Sequence, residues 1–223
     1  MKINRELAWI TGLMRQKGIR FWVDSGTLLG LVRDGKLLAH DHDIDMGMWA
    51  DDRSLLEDIL PEVQKNGYRV LSRSYRGQVY RYLFIPKRDS NRLLVDLNLF
   101  RIAEGHAWCP LIYPKSNPYS RPHPLYYLFG AVRFMINYIF ERAPNLEVER
   151  WPWTLICKVY AWWVPQEFFR ELIFLEADLS VPKAYHEYLQ YRYGQWEVPQ
   201  KEWDFYRQDG GIRRICPADL FDG

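Results

Sequence analysis

Long apolar runs are missing from this sequence. No stretch reaches the roughly 18 uncharged apolar residues of a membrane-crossing helix, so a spanning segment is not expected. Cysteine is scarce: Cys109, Cys157 and Cys216 are the full set, and none lies near another. Such a set cannot pair completely within one chain and lacks a closely spaced ligand pair, so reduced thiols in a cytoplasmic protein are expected. Charge of one sign is lacking too. The 30 Lys and Arg against 28 Asp and Glu leave +2, which gives no reason to expect nucleic acid as a partner beyond a local basic groove. The phosphate loop GxxxxGK[ST] and the dinucleotide glycine fingerprint are both absent, so those ways of holding ATP or NAD do not apply.

What is present suits an ordered chain. A 48% hydrophobic content over 223 residues can fill a core, and disorder is excluded on composition. The first twenty residues carry early charges and no long apolar run, which argues for a helix rather than a secretory signal. Leu7, Ile10, Leu13 and Met14 space its buried stripe. Short strands are expected over 19–23, 68–71, 79–85 and 93–100. Helical turns are expected over 28–32 and after Asp51 and Asp52, whose carboxylates suit a helix start. Six residues of Gly or Pro between 105 and 124 suggest an irregular loop. Helices are then expected over 125–140, 155–164, 166–176 and 183–193. The resulting division is a mixed α+β core over 1–104 and a loop-plus-helical extension over 105–223 that completes the active site, with one continuous domain as the alternative.

The chemistry concentrates in HDHDIDMGM, residues 40–48. On a strand, Asp41, Asp43 and Asp45 project to one face, with Ile44 and Met46 behind them. On a helix, positions 43 and 45 would diverge by about 200 degrees. A second apolar strand, Val95-Asp96-Leu97-Asn98-Leu99, brings Asp96 and Asn98 to one face. Carboxylates crowded together raise one another's proton affinity, and a divalent ion gives them reason to stay together. Asp43, Asp45 and Asp96 are therefore the candidate metal ligands and catalytic carboxylates. Magnesium is expected, with manganese as the alternative and two ions during turnover. Upstream, Gly26 permits close backbone approach, Thr27 offers a hydroxyl to phosphate and Arg33 offers a fork of donors. Gly30 would let the helix approach the substrate.

These blocks resemble the LicD and fukutin-related family. The segment FWVDSGTLLGLVRDGKLLAHDHDIDMGM is similar to its glycine-threonine element followed by an acidic DxD strand. LVDLNLF is similar to the strand with the third acidic residue, and VPKAYHEYLQYRYGQWEVP to its tail. The resemblance implies a nucleotidyltransferase fold, a polymerase-beta-like mixed sheet, with an aromatic-rich helical C-terminal region. It implies phosphate-side roles for Gly26, Thr27 and Arg33 and metal-side roles for Asp43, Asp45 and Asp96. The implied reaction moves phosphocholine or a polyol phosphate from CDP-choline, CDP-ribitol or a CDP-glycerol-like donor. The acceptor would be a hydroxyl of a glycan or lipid-linked glycan, with CMP released. His40 and His42 stand where an aromatic residue and another aspartate are common, and Gln195 where an acid is common.

Two other functions use the same carboxylates: nucleotidyl transfer from a nucleoside triphosphate, and noncatalytic nucleotide or glycan binding. Released CMP, released pyrophosphate or no turnover separates them. LYYLFGAVRFMINYIF invites contact with the inner face of a membrane, although Arg133 in its middle favours packing. Tyr185, Tyr188, Tyr193 and Trp196 read as packing residues, with Tyr193 and Trp196 placed to line an acceptor pocket. Arg81 and Arg92 read as surface charges. His106 with Cys109 is only half of a zinc site.

Overall fold

The computed structural model describes residues 4–39, 41–87, 92–114, 135, 138–139, 146–147, 157–175, 179–200, 203 and 205–213. Helix α1 (Arg5–Gln16) is capped by Asn4, whose side chain accepts from Glu6 N–H at 2.7 Å, and it buries the expected stripe of Leu7, Ile10, Leu13 and Met14. Strand β1 (Phe21–Val23) leads directly into α2 (Ser25–Asp34), which Gly35 ends in the left-handed region. Strand β2 (Asp43–Trp49) alternates as read: Ile44, Met46 and Met48 are fully buried behind Asp43 and Asp45. Gly47 lets Trp22 of β1 lie flat on the strand, because a Cβ there would fall 2.4 Å from the indole.

A 3-10 turn (Ala50–Asp52) precedes α3 (Arg53–Lys65), whose buried face is Leu56, Ile59 and Val63. The carboxylate of Asp52 does not cap that helix. It accepts from the backbone N–H and the guanidinium of Arg20, each at 2.8 Å, and so pins the approach to β1. Strands β3 (Tyr68–Tyr75), β4 (Gln78–Pro86), β5 (Leu94–Ala103) and β6 (His106–Pro114) follow as successive hairpins or neighbours. Arg76-Gly77 and Glu104-Gly105 turn two of them with positive φ at both positions, the geometry that matches strand twist.

β5 is the axis of the sheet. β2 runs parallel to it from Asp43↔Leu94 to Trp49↔Phe100, β4 runs antiparallel along Val95–Asn98, and β6 pairs with its last three residues. The remaining strands are β7 (Leu146–Glu147), β8 (Cys157–Pro165), β9 (Leu172–Phe174), β10 (Ser180–Pro182) and β11 (Ile212–Arg213). Helices α4 (Tyr185–Tyr193) and α5 (Phe205–Gln208) complete the described elements. The architecture is mixed α+β.

Three sequence expectations change in the C-terminal half. The helix expected over 155–164 is instead β8, which pairs antiparallel with β6 from His106↔Pro165 to Pro114↔Cys157. An aromatic and β-branched run such as KVYAWWV fits a half-buried strand as well as a helix, and only a partner strand decides between them. That partner opens the region read as an irregular loop from 105. Beyond Trp108, β6 no longer pairs with β5, so Pro110 sits on a strand with one unladdered edge, where its missing N–H is tolerated. The helical layer expected over 166–176 is a 3-10 turn (Gln166–Phe169) followed by β9, which pairs with β10. The helical tail is α4, as read. The boundary proposed at 104 falls inside the β5–β6 turn, so the sheet runs across it.

Other expectations fall on residues outside those described: the rest of the 115–124 loop, His40, and most of the 125–140 helix. Of that helix Met135, Tyr138 and Ile139 are helical and exposed. Among the described residues, no helix is long and apolar enough to cross a membrane.

Candidate active site

The parallel register of β2 and β5 sets Asp45 directly beside Asp96. Asp43, two residues earlier on the same face, completes a cluster in which one carboxylate oxygen of each lies within 4.8 Å of the others. All three line one cavity of about 980 Å³, together with Gly26, Arg33, Trp162, Tyr193, Trp196 and Trp203. The sequence-expected carboxylates therefore meet, and two of the three phosphate-side residues share their cavity.

The cluster is electrostatically uncomfortable. Burial raises the Asp45 pKa well above the usual carboxylate range, and Asp43, Asp96, Asp24 and Asp41 push it further. Asp43 is also raised, by burial first and then by Asp96, with Arg81 pulling the other way. Arg81 on β4 is the compensating cation that sequence reasoning left on the surface. It lies opposite Asn98 in the ladder, and its Nε and Nη2 fork onto the two oxygens of Asp96, Nε at 2.6 Å. One guanidinium against three carboxylates leaves an excess of negative charge. The donors are hard oxygens, at the spacing of a shared ion and open to a cavity, so they fit magnesium or manganese and not a thiolate-loving metal. His42 is exposed and outside this cluster. Cys109 is buried and its pKa is raised by burial, its thiol donates to Tyr80 O at 3.3 Å, and among the described residues it joins no group of three or more ligands with His106.

The glycine-threonine element is divided between the cavity wall and the core. Gly26 lines the cavity, and a Cβ there would come within 2.7 Å of the Asp41 carboxylate. Thr27 lies behind that wall, fully buried, and its hydroxyl accepts from Asp45 N–H at 2.9 Å. It holds the strand that carries Asp43 and Asp45. Gly30 faces the turn after α2, where a Cβ would meet Lys36 O and Leu38 N at 2.8 Å, so its smallness serves chain packing. Arg33 forks onto its neighbour Asp34 at 2.8 and 2.9 Å while lining the cavity.

Behind α2 lies a second set of charges that sequence reasoning missed. Arg192 of α4 is 1% exposed. It donates to Asp209 from Nε at 3.1 Å and from Nη2 at 2.7 Å, and to Asp24 Oδ1 from Nη1 at 3.0 Å. Tyr188, one turn earlier, donates to the same Asp24 oxygen at 2.5 Å. Burial alone would lower the Arg192 pKa, but Tyr188, Tyr193, Asp209 and Asp24 outweigh it and hold the group protonated. The only sequence signal was a lone cation one helical turn after a tyrosine in YLQYRY.

A sequence model of the family described as LicD/FKTN/FKRP, nucleotidyltransferase domain, matches residues 18–135, which include every acidic residue of the cluster. A Rickettsia prowazekii protein is 33% identical over 127 residues, 54% of this chain and 44% of its own length. Human ribitol 5-phosphate transferase FKRP is 30% identical over 103 residues, 44% of this chain and 20% of that protein. Human ribitol-5-phosphate transferase FKTN is 22% identical over 212 residues, 94% of this chain and 36% of that protein. The chain thus spans less than half the length of each of these relatives. Among solved structures, the antibiotic-resistance factor ANT(2'')-Ia matches at 18% identity with a TM-score of 0.34, covering 46% of this chain and 49% of that one.

Proposed function

The chain belongs to the LicD/FKTN/FKRP family, and from that premise we propose that it is a metal-dependent transferase. In this reading it moves phosphocholine or a polyol phosphate from a CDP-alcohol to a glycan hydroxyl and releases CMP. The observation that carries the reading is the meeting of Asp43, Asp45 and Asp96 within 4.8 Å, in a cavity also lined by aromatic side chains. The names of FKRP and FKTN, both ribitol 5-phosphate transferases, support the reaction class.

Magnesium held by the three aspartates would neutralise the donor phosphates and lower the pKa of the acceptor hydroxyl. The chain's own groups supply the rest. The α2 N-terminus, opening at Ser25 and Gly26, lies on the cavity wall, where the positive end of a helix dipole favours a phosphate. Arg81 matches a phosphate as well as it matches Asp96, because a guanidinium fork fits either pair of oxygens. Trp162, Tyr193, Trp196 and Trp203 offer flat faces to a base or a sugar ring. The acceptor hydroxyl attacks the phosphorus bearing the transferred alcohol, the bond to CMP breaks, and Asp96 receives the hydroxyl proton.

The test is a magnesium assay with a panel of CDP-alcohols and candidate glycans, reading released nucleotide and product mass. CMP with a phosphodiester product supports the reading. Pyrophosphate released from a nucleoside triphosphate, or no transfer across the panel, overturns it.

A further inference from the structure

We infer that Arg192 is a positioning residue: it holds Ser25 in a left-handed conformation and thereby aims the first turn of α2 at the carboxylates. The role deepens the transferase reading above and rests on it. Ser25 has φ of +49°. Among the described residues, the other non-glycine residues with positive φ, Arg76 and Glu104, sit in two-residue hairpin turns that require it. Ser25 opens a helix, where nothing local demands such a backbone, and a conformation of this kind persists only where its surroundings impose it.

The surroundings are specific. Nη1 of Arg192 donates to Ser25 Oγ at 3.1 Å and to Asp24 Oδ1 at 3.0 Å, and that same oxygen accepts Ser25 N–H at 2.7 Å. The guanidinium is fixed from its other side. Asp209 takes Nε and Nη2, and the Trp162 ring centroid lies 4.0 Å from the guanidinium carbon. Asp209 is brought in by Gly210, where a Cβ would fall 2.2 Å from Tyr191 O. The output side is equally direct. Asp24 N–H donates to Asp45 O at 3.0 Å, and the residue after Ser25 is Gly26, on the cavity wall. One buried cation therefore joins the C-terminal helix, the strained serine and the metal-side strand.

The test uses Arg192→Lys, which keeps the charge without the fork, and Arg192→Lys combined with Ser25→Gly. Hydrogen exchange across residues 26–30 is read beside kcat and KM for the CDP-alcohol. Arg192→Lys is expected to keep the overall circular dichroism, speed exchange in that segment and lower kcat by up to about 100-fold, the scale of an ångström-sized misplacement. Adding Ser25→Gly is expected to restore part of kcat, because glycine adopts positive φ unaided. Unchanged exchange in Arg192→Lys, or losses that simply add in the double variant, would overturn the role. Global unfolding that Ser25→Gly does not rescue would do so too, leaving Arg192 a core residue alone. The exchange readout needs no substrate, so an inactive wild type would sink the transferase reading while this inference is still decided.

Discussion

Two clusters of acid lie close together in this protein, joined by a hydrogen bond from Asp24 N–H to Asp45 O. On the cavity side, Asp43, Asp45 and Asp96 crowd together, with the Arg81 guanidinium forked onto Asp96. On the far side, Asp24 and Asp209 share another, Arg192, with the Tyr188 hydroxyl and Gly211 N–H filling further oxygen positions. Both are built from aspartates, yet one is half-buried and open to a cavity, whereas the other is fully buried and its carboxylates are tied to donors. Excess negative charge beside a cavity is a cost that a cation-dependent reaction turns to use. A hydrogen-bonded network behind it gives the cavity side a rigid frame.

The largest expected effect separates the two. Asp43→Asn or Asp45→Asn should lower transfer by more than about 100-fold, beyond the usual effect of disturbing a ligand's supporting contacts. Circular dichroism should hold, and the melting temperature of the metal-free protein should rise, since a repelling buried charge is gone. A folded variant that keeps its activity would erase the contrast. Arg192→Met should do the reverse by stranding Asp24 and Asp209, at about 3–5 kcal/mol of stability. Chemical denaturation measures it; a loss near that of a surface pair would mean the network is not closed.

Next comes pH. The Asp45 and Asp43 pKa values are raised in the folded state, so the native protein binds more protons than the unfolded chain just above the ordinary carboxylate range. Their contribution therefore favours folding at low pH and is lost as pH rises through that window. The melting temperature of wild type relative to Asp45→Asn, both metal-free, should fall as pH rises there, and magnesium should abolish the difference. A flat difference would show that the cluster is not strained. The smallest effect is the control: Arg20 is 56% exposed in its pair with Asp52, and Asp52→Asn should cost no more than about 1 kcal/mol.

The acidic cluster was legible because its information is local. Period-two alternation put Asp43 and Asp45 on one face, and an apolar run around Asp96 marked a second strand. Only the register, Asp45 beside Asp96, needed the fold. Helices α1, α3 and α4 were legible for the same reason. β8 was not, because its aromatic run has no period that excludes a helix until β6 pairs with it. Nor was the Arg192 network, whose partners stand 168 and 17 residues away in sequence. Thr27 shows the limit from the other side: the residue was singled out for phosphate, but its hydroxyl is turned to the backbone of Asp45.

The most direct measurement is anomalous diffraction from crystals grown with manganese and a CDP-alcohol. A manganese peak within bonding distance of Asp43, Asp45 and Asp96, with the donor phosphates on its open side, is the expected result. Manganese bound elsewhere, with those three carboxylates holding no ion beside the donor, would contradict it.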